Sequence, residues 1–323
     1  MVGHYAQAGD YSVSVEHRAM DNGWSFLPAA PASFQSVSDS NLTVTAEFEN
    51  FRLVVGRSNF DMQLQRSVEP KDVSLSATKD LFSIFYKVSD DKNLGLSVIR
   101  QLADQQRFEC YDFSGITLGP CQSGAIQLDG TNDKYDVLEG DLVGISAETI
   151  SIGLSFQQQL DWVWLDDFTV GVFSTTHDYD WLTPIEDLAS PFILGLKFNG
   201  KTLGDAITES FDKFPQRDSW RLHQVNISAS KALPIYREIE VFSKADVVYL
   251  HYSNYRAIIE APNYNIKLKV GLRLATRSFL YEVYGNYYQH NLIGFEPITF
   301  NQRTEHYFNR PYGNVGIKLE WRF

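Results

Sequence analysis

Long apolar runs are missing from this chain. No stretch approaches the ~18 consecutive apolar residues that a membrane-spanning helix needs, and mean hydropathy over the 323 residues is −0.24. A helical membrane protein is thereby excluded. A strand-built one is not, because lipid-facing and lumen-facing residues cancel in any averaging window. Positive charge is also short: 28 Lys and Arg stand against 40 Asp and Glu, a net charge of −12. That balance argues against nucleic acid as a partner. Met1 to Asp10 has neither a basic n-region nor an apolar h-region, so an exported protein would here be in a mature or engineered form with an initiator Met. Repeats of about 20 to 50 residues, phosphate-binding glycine loops and paired histidines at helical spacing are absent too.

Cysteine is nearly absent. Cys110 and Cys121 bracket a loop containing Gly and Pro, and nothing nearby supplies two more zinc ligands. The pair suits a disulfide closing a surface loop in an oxidising compartment, with two free thiols in a reduced protein as the alternative.

What the chain does have is a two-residue period and many aromatics, with 17 Tyr and 22 Phe. Leu42, Val44, Ala46 and Phe48 alternate with polar residues; Phe51, Leu53 and Val55 resume after Glu49-Asn50. The same rhythm runs through Ile150–Phe156, Phe168–Val172, Val225–Ala229, Ile266–Leu274 and Phe279–Val283. Strict alternation means strands with one apolar and one polar face. Val73 to Lys79 and Leu81 to Val88 read as a hairpin turning at Lys79-Asp80. Short connections alternate with long polar ones at Ala19–Ser40, Asn59–Asp72, Phe113–Gly140, Asp178–Ser190 and Asn291–Arg310. Segregated loop lengths and a charged second face are the layout of a transmembrane antiparallel β-barrel rather than of a sandwich. The expected fold is a single all-β barrel domain over residues 1–323. About 14 strands are expected, with 12 and 16 as rivals, because Ile150–Leu165 reads as one strand or two. Leu203, Ile207, Phe211 and Phe214 sit at helical spacing and predict a small helix within 200–214, either capping a loop or folded into the lumen. Alternation begins by Tyr11, leaving no expected N-terminal plug.

The final strand carries a resemblance. Val315, Ile317, Leu319, Trp321 and Phe323 alternate with polar residues up to the last position. This is similar to the closing strand of Gram-negative outer-membrane β-barrels. The resemblance implies a bacterial outer-membrane location, recognition of this segment by the barrel-assembly machinery, a periplasmic C-terminus and extracellular long loops.

Two readings of function follow. His251-Tyr252-Ser253-Asn254, with Asn265 twelve residues past the serine, resembles outer-membrane phospholipase A; the tetrapeptide also resembles the lipid A 3-O-deacylases. The resemblance implies His251 as base, Ser253 as nucleophile, Asn265 as the group orienting the histidine, and calcium at the oxyanion hole. Against it, Asn265 falls on the opposite parity from Ile266 and Leu268, Tyr255 stands where the phospholipase has Gly, and the motif comes late in the chain. The other reading needs no cofactor. Lys267, Lys269, Arg273, Lys318 and Arg322, with Glu238, Glu240 and Glu282, point into the lumen by parity. Such a wall makes either a channel or export conduit for a hydrophilic solute or polysaccharide, or a salt-bridged closed barrel of structural or biogenesis type.

Overall fold

The computed structural model describes residues 10–21, 34–65, 72–108, 111–113, 116–118, 125–127, 134–136, 144–181, 195, 197–198, 200–202, 204–205, 217–253, 262–292, 295 and 312–323. Twelve long strands close into one antiparallel barrel. They are β1 (Asp10–Asp21), β2 (Phe34–Glu47), β3 (Phe51–Gln65), β4 (Asp72–Ser89), β5 (Lys92–Phe108) and β6 (Gly144–Trp162). β7 (Leu165–Trp181), β8 (Arg217–Tyr236), β9 (Ile239–Ser253), β10 (Tyr264–Ala275), β11 (Phe279–Leu292) and β12 (Tyr312–Arg322) complete the wall. Each strand pairs with its neighbours in sequence, and β12 returns to β1 with Val13 opposite Trp321 and Val15 opposite Leu319. Phe323 donates its N–H to the Tyr11 carbonyl at 2.8 Å, tying the last residue to the first strand. Closure removes the unpaired edge that a bilayer cannot tolerate.

The barrel has 12 strands, not the expected 14. The supposed hairpin at Lys79-Asp80 lies inside β4, where Lys79 faces Gln101 and Asp80 faces Arg100 across the ladder. The real turn comes at Ser89–Lys92. A polar pair inside a strand imitates a turn when its two side chains leave on opposite faces of the wall. At the true turn Ser89 donates its hydroxyl to Asp91 at 2.7 Å, which holds that exposed carboxyl below the usual carboxylate range. Of the ambiguous Ile150–Leu165 segment, Ile150–Trp162 belongs to β6, a single strand of 19 residues, and Leu165 opens β7 after the turn.

Connections 48–50, 90–91, 163–164, 237–238 and 276–278 gather at one end, with both ends of the barrel chain. The strand ends at residues 21 and 34, 65 and 72, 108 and 144, 181 and 217, 253 and 264, and 292 and 312 lie at the other, the end of the long connections. Of the expected helix, Gly204 and Asp205 are described and are helical. Thr202 and Asp205 cap each other there: Asp205 N–H donates to Thr202 Oγ1 at 3.0 Å, and Thr202 N–H to Asp205 Oδ2 at 3.3 Å. The run from Ala206 to Phe214, and both Cys110 and Cys121, lie outside the described residues.

Outward side chains make an exposed apolar belt, among them Leu96, Leu154, Val172, Ile227, Val270 and Ile317. A water-facing protein does not carry a band of this extent; its solvent is hydrocarbon. Trp162, Trp164 and Phe323 stand exposed at the short-turn rim, the level at which amphipathic rings meet headgroups. Inside, bulky rings lie flat over glycines of the next strand. The Tyr284 ring covers Gly316, and Phe173 covers Gly153, where an added Cβ would stand 2.0 Å from the ring.

Candidate functional site

The period of two, carried round a closed ladder, places every second residue of twelve strands in one lumen. In the short-turn half these residues enclose a cavity of about 630 Å³. Lys244, Arg273, Glu282, Lys318, Glu320 and Arg322 come from β9–β12, and Arg52, Asn93, Gln157, Gln159, Thr169 and Ser230 from β3–β8. A second space of about 740 Å³ adjoins it at the short-turn mouth and shares Arg52, Glu320 and Arg322.

The two sides of this cavity differ. On the seam side, one cross-strand row reads Glu240, Arg273, Glu282, Lys318, Glu16, alternating in sign across five strands. Arg273 Nε meets Glu282 Oε1 at 2.8 Å and its Nη1 lies 3.8 Å from Glu240. Lys269, on the row pair above, reaches Glu282 at 3.4 Å and Glu16 at 3.7 Å, and its ammonium sits 3.5 Å above the Tyr284 ring. The Tyr284 hydroxyl donates to Glu16. Nearer the mouth, Glu320 takes Lys318 at 2.8 Å and Arg322 at 2.9 Å. Facing this wall are amides and hydroxyls. Arg52 donates to Gln157 Oε1 at 2.8 Å, with its guanidinium 4.5 Å over the Phe85 ring.

The long-connection half is packed instead. Val248, Tyr288, Asn265 and Thr149 point inward and have no exposed surface. His177 stacks on Trp220 at 3.9 Å, and Arg18 pairs with Asp39 while donating to the Tyr288 hydroxyl at 3.3 Å.

Of the residues expected in the lumen, Lys267, Lys269, Arg273, Lys318, Arg322, Glu240 and Glu282 all face inward. Lys267 lies 5.3 Å from the Tyr288 ring. Glu238 does not belong to the wall. It sits exposed in the β8–β9 turn beside Arg237, whose φ of 50° is left-handed, because a bulge between Pro234 and Tyr236 shifts where the chain reverses. Sequence reasoning missed Arg52, Gln157, Gln159 and Glu16, though each lies on the polar parity of an alternating strand.

The expected catalytic residues are not brought together. His251 and Ser253 share the outward face of β9, with the His251 ring 6.4 Å from that of His223. Asn265 faces inward and is fully buried. Its Oδ1 accepts from the backbone N–H of both His290 and Ile266 at 2.9 Å, and its Nδ2 donates to the His290 carbonyl at 3.4 Å. That carboxamide fastens β10 to β11 from inside the wall, on the opposite side from His251. Tyr252, between them, turns inward and donates to the Pro262 carbonyl at 3.3 Å. On β12, Val315, Ile317, Leu319 and Trp321 hold the outward parity, and Phe323 ends the strand exposed.

No protein-family model matches the chain, and no curated protein matches it. Similar solved structures include the translocator domain of the autotransporter NalP from Neisseria meningitidis, with 9 % identity and a TM-score of 0.52 over 98 % of this chain and 89 % of that one. The beta domain of the Bordetella autotransporter BrkA has 8 % identity and a TM-score of 0.45, covering 98 % of each chain. LpxR from Salmonella typhimurium has 8 % identity and a TM-score of 0.41, covering 97 % of this chain and 99 % of that one. The first likeness shows the fold, that of the Gram-negative outer-membrane β-barrels.

Proposed function

We propose that this barrel is an outer-membrane conduit for a hydrophilic solute or a polysaccharide chain. The observation that carries the reading is the polar cavity of about 630 Å³ inside the short-turn half. Its lining sets five cations (Arg52, Lys244, Arg273, Lys318, Arg322) against three carboxylates (Asp167, Glu282, Glu320), in a chain of net charge −12. Charge concentrated on one wall, with amides and hydroxyls predominating opposite, suits a polar passenger and favours an anionic one slightly. Short turns and the C-terminus face the periplasm in this reading, with β12 offered to the assembly machinery and the apolar belt to outer-membrane lipid. Cys110 and Cys121 form a disulfide in the exported protein, so iodoacetamide labels neither thiol until a reductant is added.

The test is single-channel recording from the purified full chain in a planar bilayer. Discrete conductance steps with a modest anion preference are expected, and Tyr288→Ala, which removes a fully buried ring from the packed half, raises the conductance. A barrel silent in both forms is closed and overturns the reading. Calcium-dependent cleavage of phospholipid micelles, lost in Ser253→Ala, would instead put a hydrolase in its place.

A further inference from the structure

The apolar belt is not equally tall around the barrel. On β10 the outward positions from Leu274 back to Tyr264 are apolar without interruption. At about 3.3 Å per residue and a tilt of about 40°, that spans roughly 25 Å along the membrane normal, the full hydrocarbon band. On β3 the outward run is Phe51, Leu53, Val55 and then Arg57, so charge begins after roughly 15 Å by the same geometry. Arg57 does not stand alone. It lies directly opposite Asp80 on β4, which lies directly opposite Arg100 on β5. Arg57 Nε is 3.7 Å from Asp80, and Arg100 turns to Glu148 on β6 at 2.7 Å. All four face outward, and the guanidinium-bearing side chains are 70 % and 53 % exposed. Below them runs an outward groove of about 480 Å³ walled by Leu42, Val55, Phe82 and Val98, with Arg57 and Arg100 on its rim.

We propose that this groove holds one acyl chain of a phosphate-bearing membrane lipid whose headgroup phosphate lies on Arg57 and Arg100. A hydrocarbon cleft ending on two planar guanidiniums is complementary to a lipid that is apolar along its length and anionic at one end. The two arginines stand two strand spacings apart, about 10 Å between backbones, within reach of a single phosphate for side chains of that length. Bare phosphate is a poor match. Arg57, Asp80, Arg100 and Glu148 sum to zero charge, so an anion without a chain gains little from the row. Asp80, between the two arginines, competes with the phosphate for both. The low rim also means that the lipid occupying this face sits deeper than those around β10, thinning the bilayer locally.

The test uses native mass spectrometry of the detergent-solubilised full chain, offered phosphatidylglycerol, dioleoylglycerol or inorganic phosphate. Phosphatidylglycerol is expected to be retained over dioleoylglycerol. The double substitution Arg57→Ala/Arg100→Ala lowers that retention about tenfold or more, as loss of two charge-assisted contacts requires. Asp80→Asn raises it, which a merely structural ion pair would not do, and this arm decides the matter if the double variant fails to fold. Equal retention of the two lipids, indifference to both variants, or inorganic phosphate binding as well as phosphatidylglycerol overturns the proposal. So does a dimer of the chain that Arg57→Ala dissociates.

Discussion

The two halves of the lumen are made from the same strands by the same alternation, yet their interiors are opposite. Toward the short turns, inward positions are Arg52, Gln157, Lys244, Lys318 and Arg322, and they line open space. Toward the long connections, inward positions are Trp220, Leu222, Val248, Leu250 and Tyr288, and they are sealed from solvent. Glu282 stands at the boundary, 5 % exposed at its side chain, holding Lys269 and Arg273 together. Period alone therefore decides which residues share the lumen, while their size and charge decide whether that part of it is a passage or a core. A charge at the mouth keeps its water; the same charge a few residues further in must find a protein partner.

The largest expected effect breaks the comparison at its boundary. Glu282→Ala leaves two cations facing each other with their shared partner gone, at a cost of about 3–5 kcal/mol. Urea unfolding in detergent micelles, followed by the shift of folded barrel on a gel, measures it. A loss below about 1 kcal/mol would mean the boundary is already wet. An intermediate effect is expected where a ring closes the wall. Gly153→Ala pushes a methyl into the Phe173 ring, which must swing into the lumen, and overpacking of this kind costs about 1–3 kcal/mol in the same assay. The smallest belongs to the mouth. Arg322, 47 % exposed beside Glu320, changes stability by less than about 1 kcal/mol when replaced by Ala, while reversal potentials in a salt gradient move toward cations. A large stability loss there would show that the open half is packed like the other.

Much of this was readable beforehand, and the failures are specific. The inward parity of Lys267, Lys269, Arg273, Lys318 and Arg322 followed from alternation, since a one-residue slip would turn each strand inside out. Their partners were not readable. Glu16 and Lys318 are 302 positions apart in the chain but opposite in register, and only closure of β12 on β1 makes them neighbours. Glu238 was misplaced because a bulge moved the turn, and bulges have no period to reveal them. Lys79-Asp80 looked like a reversal because polar pairs in turns and polar pairs above the apolar belt have the same composition. The lie of the Tyr284 ring was not read; its signal was present in Gly316, a glycine on polar parity that leaves room for a ring from the next strand.

From its order of residues alone, this chain determines strands of alternating character, an apolar outside, a polar inside and two unequal sets of connections. Those are local properties, set by where neighbouring side chains must point along an extended backbone. Tertiary structure decided the count of 12 strands, the ion-pair row of the seam, and which stretch of the lumen is hollow. These depend on register and closure, which join residues hundreds of positions apart and leave no trace in the pattern of any single strand.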